Sequence, residues 1–429
     1  MIAQVAILLF LLKMCNITGR DFWSARKMFS PIAFLAIAFS IQFLGAQVVL
    51  PLAGFPVLGF EGTELVTRIQ ATVQGQAILC AFLGAFVLGF APLFSLLRRR
   101  DDRAEPYVPV TRITYGASWL WMIIGLGAAI MLGASWDGTG SRSQLVQGIG
   151  GQMGYAISFC ATVAATVMLP SLYARRHYVM CFVVVLVIAS VFLPLGGRSR
   201  LLLPILQSAM IITVAAGTQF KPRSLAFFGA GLLTLMAALD PLMAVLIAKK
   251  ITFGQAVGEF FANLNIAYFF TSRNFDGFHN LSLLAFYDRI SPDIGRITGG
   301  AGPDFMQEYF PEVAARGFGY PPTVPGEFYL IGSWVGVLIG AFFVGALFAF
   351  MQASYMRVRK VSTLVIYFAA LPWVASLGYV YFDFLLKDIA AVLPAVMLWV
   401  VDLVRVRRAT PVPVVSKLQP IETPRHALG

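Results

Sequence analysis

The chain has 429 residues, of which 59% are hydrophobic and 12% charged, with a formal net charge of +12. Many separate apolar runs of about 20 residues exclude a soluble globule and point to an all-α polytopic membrane protein in contact with the lipid bilayer. The runs are continuous where β-barrel strands would alternate, which excludes a barrel. The cations do not gather with aromatic residues on one surface, so no nucleic-acid partner is expected.

Eleven spans are expected near 1–13, 31–55, 71–97, 115–135, 150–172, 178–195, 201–217, 225–248, 328–351, 361–379 and 389–404. The first is short and closed by Lys13, yet it lacks the basic start and small-residue cleavage site of a signal peptide, so it reads as a span. Four regions follow: transmembrane helices over 1–248, a hydrophilic loop over 249–327, three more spans over 328–404, and a basic tail over 405–429. With the carboxyl terminus cytoplasmic, the inner segments hold 21 of the 32 Lys and Arg residues, which places the long loop outside. Cys80, Cys160 and Cys181 fall inside spans and Cys15 on the inner side, so neither a disulfide nor a zinc site is expected.

The turn before the seventh span reads Gly196-Gly197-Arg198-Ser199-Arg200, with two guanidinium groups on the side that the positive-inside rule disfavours. Glycines there allow close backbone approach to an anion, and arginine forks match phosphate oxygens, so Arg198 and Arg200 are candidate pyrophosphate ligands; the alternative is snorkelling to headgroups. Arg142, in the preceding outer loop, is either a further phosphate ligand or a solvated residue. Asp240 is an acid within a span, next to Pro241, and reads either as a substrate contact or as half of an ion pair.

The loop 249–327 begins with Phe253, Val257, Phe260, Phe261, Leu264 and Tyr268 at helical spacing, which predicts an amphipathic helix on the outer membrane surface. A second short helix is expected over 279–289, a flexible turn at Gly299, Gly300 and Gly302, and a stiff return at Pro321, Pro322 and Pro325. A loop this long without low complexity is usually functional. Its candidate reagents are the carboxylates Glu327 and Asp304, the imidazole of His279, and the cations Arg273 and Arg289. Outer segments contain no Asp-x-Asp and no second histidine near His279, so no metal or other cofactor is expected.

The passage Tyr320-Pro-Pro-Thr-Val-Pro-Gly-Glu327, continuing into a Gly-rich span to Gly340, resembles the Pro-rich return and Gly-Glu-x-Tyr helix start of the Wzy-type O-antigen and exopolysaccharide polymerases. The Gly-Arg turn at 196–200 and a long outer loop with an arginine near its start are similar to that family as well. Together these cover about a third of the chain, and nothing before residue 190 contributes. The resemblance implies a GT-C-like helical glycosyltransferase in the bacterial inner membrane, with its long loop periplasmic. It would move a growing glycan from undecaprenyl pyrophosphate to the sugar end of the next lipid-linked repeat unit, with a chain-length-regulating membrane protein as a partner. Under that reading Arg198, Arg200, Arg273 and Arg289 hold pyrophosphate and glycan, and Glu327 is the first choice for the base, with His279 and Asp304 behind it. Tyr320 would stack on a sugar or simply belong to the aromatic belt. Glu327 also suits a plain helix-start acid. An O-antigen ligase with the same donor, and a lipid-linked oligosaccharide flippase, are the rival readings.

Overall fold

The computed structural model describes residues 1–47, 64–97, 112–134, 148–192, 198–221, 253–263, 277–298, 301–315, 322–358, 360–375 and 392–401, apart from isolated positions between 223 and 234. In chain order the helices are α1 (Ile2–Met14), α2 (Ala25–Met28), α3 (Pro31–Phe39), α4 (Leu65–Leu97), α5 (Arg112–Ala134), α6 (Gly148–Ile157), α7 (Phe159–Ala174), α8 (Tyr178–Phe192) and α9 (Arg198–Ala215). They continue with α10 (Phe253–Asn263), α11 (Gly277–Tyr287), α12 (Ala301–Tyr309), α13 (Pro311–Ala315), α14 (Thr323–Tyr355), α15 (Val361–Ala375) and α16 (Val392–Val401). A π-helical segment, Ser40–Leu44, extends α3, and a 3-10 turn, Ile294–Thr298, precedes α12.

Among the described residues, four helices are long and apolar enough to cross a membrane: Leu65–Leu97, Arg112–Ala134, Met153–Ala174 and Thr323–Tyr355. Six more of the expected spans appear as apolar helices of 10–17 residues, and most of 225–248 lies outside the described residues. The outward face of α14 carries Val335 (64% exposed), Phe343 (65%) and Phe350 (59%), and α8 carries Val179 (76%) and Phe182 (65%). Contiguous apolar surface of this kind is untenable in water, and a bilayer is its natural solvent. The chain is an all-α, membrane-embedded protein.

In lipid, helices associate through close packing at small residues and through polar contacts. The central pair is α4 with α14. A Cβ added at Gly89 would overlap the carbonyl oxygen of Phe342, and one at Gly345 would overlap that of Phe86. Stacked rings of Phe86, Phe90 and Phe94 line the same seam. The two helices run in the same direction, because Arg357, just past α14, donates to the carbonyl of Leu97 at the end of α4. Gly125 of α5 likewise leaves room for the backbone of α7 at Ala161. Buried amides bridge other helices: Gln47 donates to Gln4 at 2.6 Å, and Gln207 accepts from Thr166 at 2.9 Å while donating to the carbonyl of Phe368 at 2.6 Å.

Segments that the cation count assigns to one side meet at one end of the bundle. Ser24 pairs with Gln219, Arg26 donates to the carbonyl of Met356 at 2.5 Å, and the guanidinium of Arg175 lies 5.0 Å above the ring of Tyr115. The opposite end is built from the start of α4, the π segment, α11 and the start of α14.

Candidate functional site

The sequence predicts α11 as a second short helix of the hydrophilic loop. The structure buries it instead: all residues from Gly277 through Leu284 are buried. Glycines make this insertion possible. Gly75 of α4 faces Ser282, where an added Cβ would fall 2.5 Å from its Oγ; Gly277 faces Thr323 and Phe43; Gly326 faces Leu284. The helix is thus held between α4, the π segment and the first turns of α14.

The ninth span also differs from its expected form. Helix α14 begins at Thr323 rather than at 328, directly after Pro322 and with Pro325 in its first turn, where proline is tolerated. Glu327 therefore lies inside the helix and not at its mouth, and it is 0% exposed. The helix then breaks: Gly332 (φ −149°, ψ 25°) and Ser333 (φ 51°, ψ −143°) leave helical geometry. Residues 323–331 form a half-helix that folds back, so that the ring of Phe328 packs on Gly340 and its carbonyl on Gly336. A break of this kind leaves carbonyls of the last turn without their helical donors. The loop supplies replacements, since Leu330 oxygen accepts from the Asp293 N–H at 3.0 Å and from Arg296 Nη1 at 3.1 Å. Tyr329 donates to Asp288 Oδ1 at 3.2 Å and shares its hydroxyl with Ser333.

His279 is 1% exposed and its Nε2 has no hydrogen-bond partner. Burial disfavours its charged form and holds its pKa at about 4, so the imidazole is neutral near pH 7. Ser282, one turn later on the same face, is 0% exposed, and its Oγ is also unpartnered. Glu327, Thr323 and Asn280 are buried as well, and the rings of Phe82 and Phe328 stack at 6.5 Å between centroids.

The remaining candidates sit elsewhere. Asp304 accepts from Arg296 Nε at 2.6 Å and serves as that arginine's counter-ion on the loop. Arg289 is exposed, with its guanidinium 4.9 Å from the Tyr287 ring and 5.9 Å from the Tyr309 ring, and 3.9 Å from Glu308. Burial pushes the pKa of Tyr309 up, while the Arg289 N–H and charge oppose that rise. Arg198 and Arg200 lie in the first turn of α9, which packs against α7, α8 and α15. Arg142, Asp240, Arg273 and Tyr320 lie outside the described residues, as do Gly299 and Gly300; Gly302 is a buried position of α12.

The structure thus buries both Glu327 and His279, on two helices that pack together, and leaves Asp304 and Arg289 on the loop surface. Sequence reasoning missed Ser282, whose signal was its spacing of three from His279. It also missed Arg296 as the cap of a broken helix, for which no local signal existed. Among the described residues no group of three or more His, Cys, Asp or Glu side chains is placed to hold a metal ion. In comparisons with known proteins the chain matches no protein-family model, no curated protein and no solved structure.

Proposed function

We propose that the chain is a Wzy-type polysaccharide polymerase, a membrane glycosyltransferase that elongates a glycan on undecaprenyl pyrophosphate at the periplasmic face of the bacterial inner membrane. In this reading the eleven spans leave the carboxyl terminus cytoplasmic and a chain-length-regulating membrane protein acts as partner. The observation that carries it is Glu327, a fully buried carboxylate in the Pro-Gly-Glu passage, on a half-helix packed against the helix that bears His279. A carboxylate or neutral imidazole shielded from water suits removal of a proton from an acceptor hydroxyl. The acceptor oxygen then forms a bond to the anomeric carbon of the donor glycan, and the bond from that carbon to the pyrophosphate oxygen breaks. Undecaprenyl pyrophosphate leaves with the electron pair, and outward arginines such as Arg198 and Arg200 stabilise its charge.

Deletion in the host separates this reading from its rivals. Loss of the polymerase leaves lipid cores capped with one repeat unit, and loss of a ligase leaves uncapped core with polymer still on the carrier. The break at Gly332 and Ser333 is an observation that favours the flippase reading, because transporters use discontinuous helices. Loss of a flippase traps repeat units on the cytoplasmic side. Synthesis of polymer from a defined lipid-linked repeat unit by the purified protein tests the activity directly.

A further inference from the structure

The break in α14 fixes where one surface of the bilayer lies. From Trp334 to Tyr355 the helix is uninterrupted and rises about 33 Å, enough on its own to cross a hydrocarbon core of about 30 Å. Its far end is marked by Arg357, exposed and bonded to the Leu97 carbonyl, so Trp334 stands at the opposite boundary. The residue type agrees. Trp334 is exposed and meets the Tyr329 ring edge-on at 6.1 Å between centroids, and such aromatic residues collect at the membrane–water interface. The exposed apolar face of the helix begins there, with Val335, Leu338 and Ile339, whereas Thr323 through Leu330 are buried.

The hydrophilic loop is pinned at this same level. Leu330, just before the break, accepts from the Asp293 N–H and from Arg296 Nη1, so the 3-10 turn Ile294–Thr298 is docked at the boundary. In a 3-10 turn, residues three apart eclipse one another, which puts Ile294 and Ile297 on one side. Arg296 is turned the other way, holding Leu330, Ser291 and Asp304. Ile294 is 74% exposed and Ile297 43%, and neither joins the hydrophobic core. We infer that Ile294 and Ile297 dip into the leaflet on the loop side, beside Trp334, as an anchor that fastens the loop to phospholipid acyl chains. The depth of the pinned turn is what selects lipid as the occupant of this face. The consequence reaches the buried carboxylate, because Arg296, between the two anchoring residues, caps the half-helix that carries Glu327. The anchor stands whatever reaction Glu327 performs.

The test uses the full-length protein in nanodiscs, with a genetically encoded dansyl amino acid replacing Ile294, Ile297, Glu308 or Phe343, one at a time. Phe343 is the lipid-facing reference on α14, and Glu308 is the water-facing one on the loop. Phosphatidylcholine with brominated acyl chains is expected to quench the probe at 294 and 297 at least about half as strongly as at 343, and aqueous iodide to quench it several-fold less than at 308. Iodide quenching equal to that at 308 overturns the anchor. Protection from both quenchers also overturns it, since protein would then cover the isoleucines. The native side chains are tested by Ile294→Ser combined with Ile297→Ser. Amide exchange in peptides covering 290–298 is expected to speed up about tenfold in nanodiscs, with the melting temperature within a few degrees of the parent. Unchanged exchange removes the anchoring role, and faster exchange throughout the bundle with a lower melting temperature reassigns the isoleucines to packing and overturns it as well.

Discussion

Arg296 donates from Nη1 to the carbonyl oxygen of Leu330 at 3.1 Å, across 34 positions of sequence, and so caps the half-helix that carries Glu327. A cation at a helix carboxyl end is doubly favourable, because it satisfies an orphan carbonyl and opposes the helix dipole. The same guanidinium holds the Ser291 carbonyl at 2.5 Å and Asp304 at 2.6 Å, which ties the loop to the break in α14.

Removing that cap is expected to loosen one element rather than the whole bundle. The Arg296 side chain is 14% exposed and Asp304 44%, so the ion pair itself is partly screened and the buried carbonyl bond matters more. Arg296→Ala is expected to destabilise the protein by about 2 kcal/mol, and Asp304→Asn by about 0.5 kcal/mol. Hydrogen–deuterium exchange checks the location: uptake should rise in peptides covering 323–331, and a uniform rise would count against capping.

Ser333 holds φ 51° and ψ −143°, a combination that glycine adopts freely and L side chains do not. Ser333→Gly is expected to relieve about 1 kcal/mol of strain, less what is lost with the hydroxyl contact to Tyr329. A melting temperature equal to or above that of the parent supports a strained hinge. A clear fall would show that the hydroxyl matters more than the backbone.

How far the sequence revealed this arrangement depends on the signal each element left. The span expected at 115–135 is seen at Arg112–Ala134, because a run of apolar residues long enough to cross a membrane has few other solutions. The break at Gly332 and Ser333 was invisible, since a Gly-Ser pair in an apolar run reads as an ordinary small-residue stretch, and the contacts that stabilise it, such as those from the loop to Leu330, are distant in sequence. Helix α11 was foreseen as an element but not as a buried one. Its burial depends on Gly75 of α4, roughly two hundred positions away, and no local pattern carries that information. His279 and Glu327 were picked out by residue type, while Ser282 gained meaning only when the structure showed its hydroxyl buried and unpartnered.

The buried imidazole makes a pH prediction with a definite sign. In the folded chain His279 titrates at about 4, against 6.5 for the ordinary group, so between these values the unfolded chain binds a proton that the folded chain does not. Stability contributed by the neutral imidazole is therefore complete above the ordinary value, falls as pH drops through that window, and levels off below about 4. Between pH 7 and pH 5 the loss attributable to this group is expected to be about 2 kcal/mol. Thermal melts at the two pH values, compared between the parent and His279→Gln, check it: the pH-dependent difference should shrink in the variant, and equal slopes would remove His279 as the cause.

Arg198 opens α9, directly after Gly196 and Gly197 in the sequence, and there a planar fork and a point charge have different consequences. If the guanidinium grips two pyrophosphate oxygens, Arg198→Lys is expected to lower polymer synthesis about tenfold or more at equal expression. Near-parental polymer length in that variant would leave headgroup snorkelling as the role of Arg198.

Glu327 separates chemistry from architecture most directly. It is fully buried on a half-helix whose neighbours Thr323, Pro325 and Phe328 are also buried, so truncation to alanine would disturb packing as well as remove a carboxylate. Glu327→Gln keeps the shape and the hydrogen-bonding capacity of one oxygen while removing the basic group. If the carboxylate takes the acceptor hydroxyl's proton, polymer synthesis from a defined lipid-linked repeat unit should fall about a hundredfold or more, with the melting temperature within a few degrees of the parent. Replacement by aspartate tests position rather than chemistry: the carboxylate is retained but drawn back by one methylene, and partial activity is the expected result. Full activity in Glu327→Gln would exclude Glu327 as the base and leave the neutral imidazole of His279 as the buried group able to accept the proton, which His279→Gln would then test in the same assay.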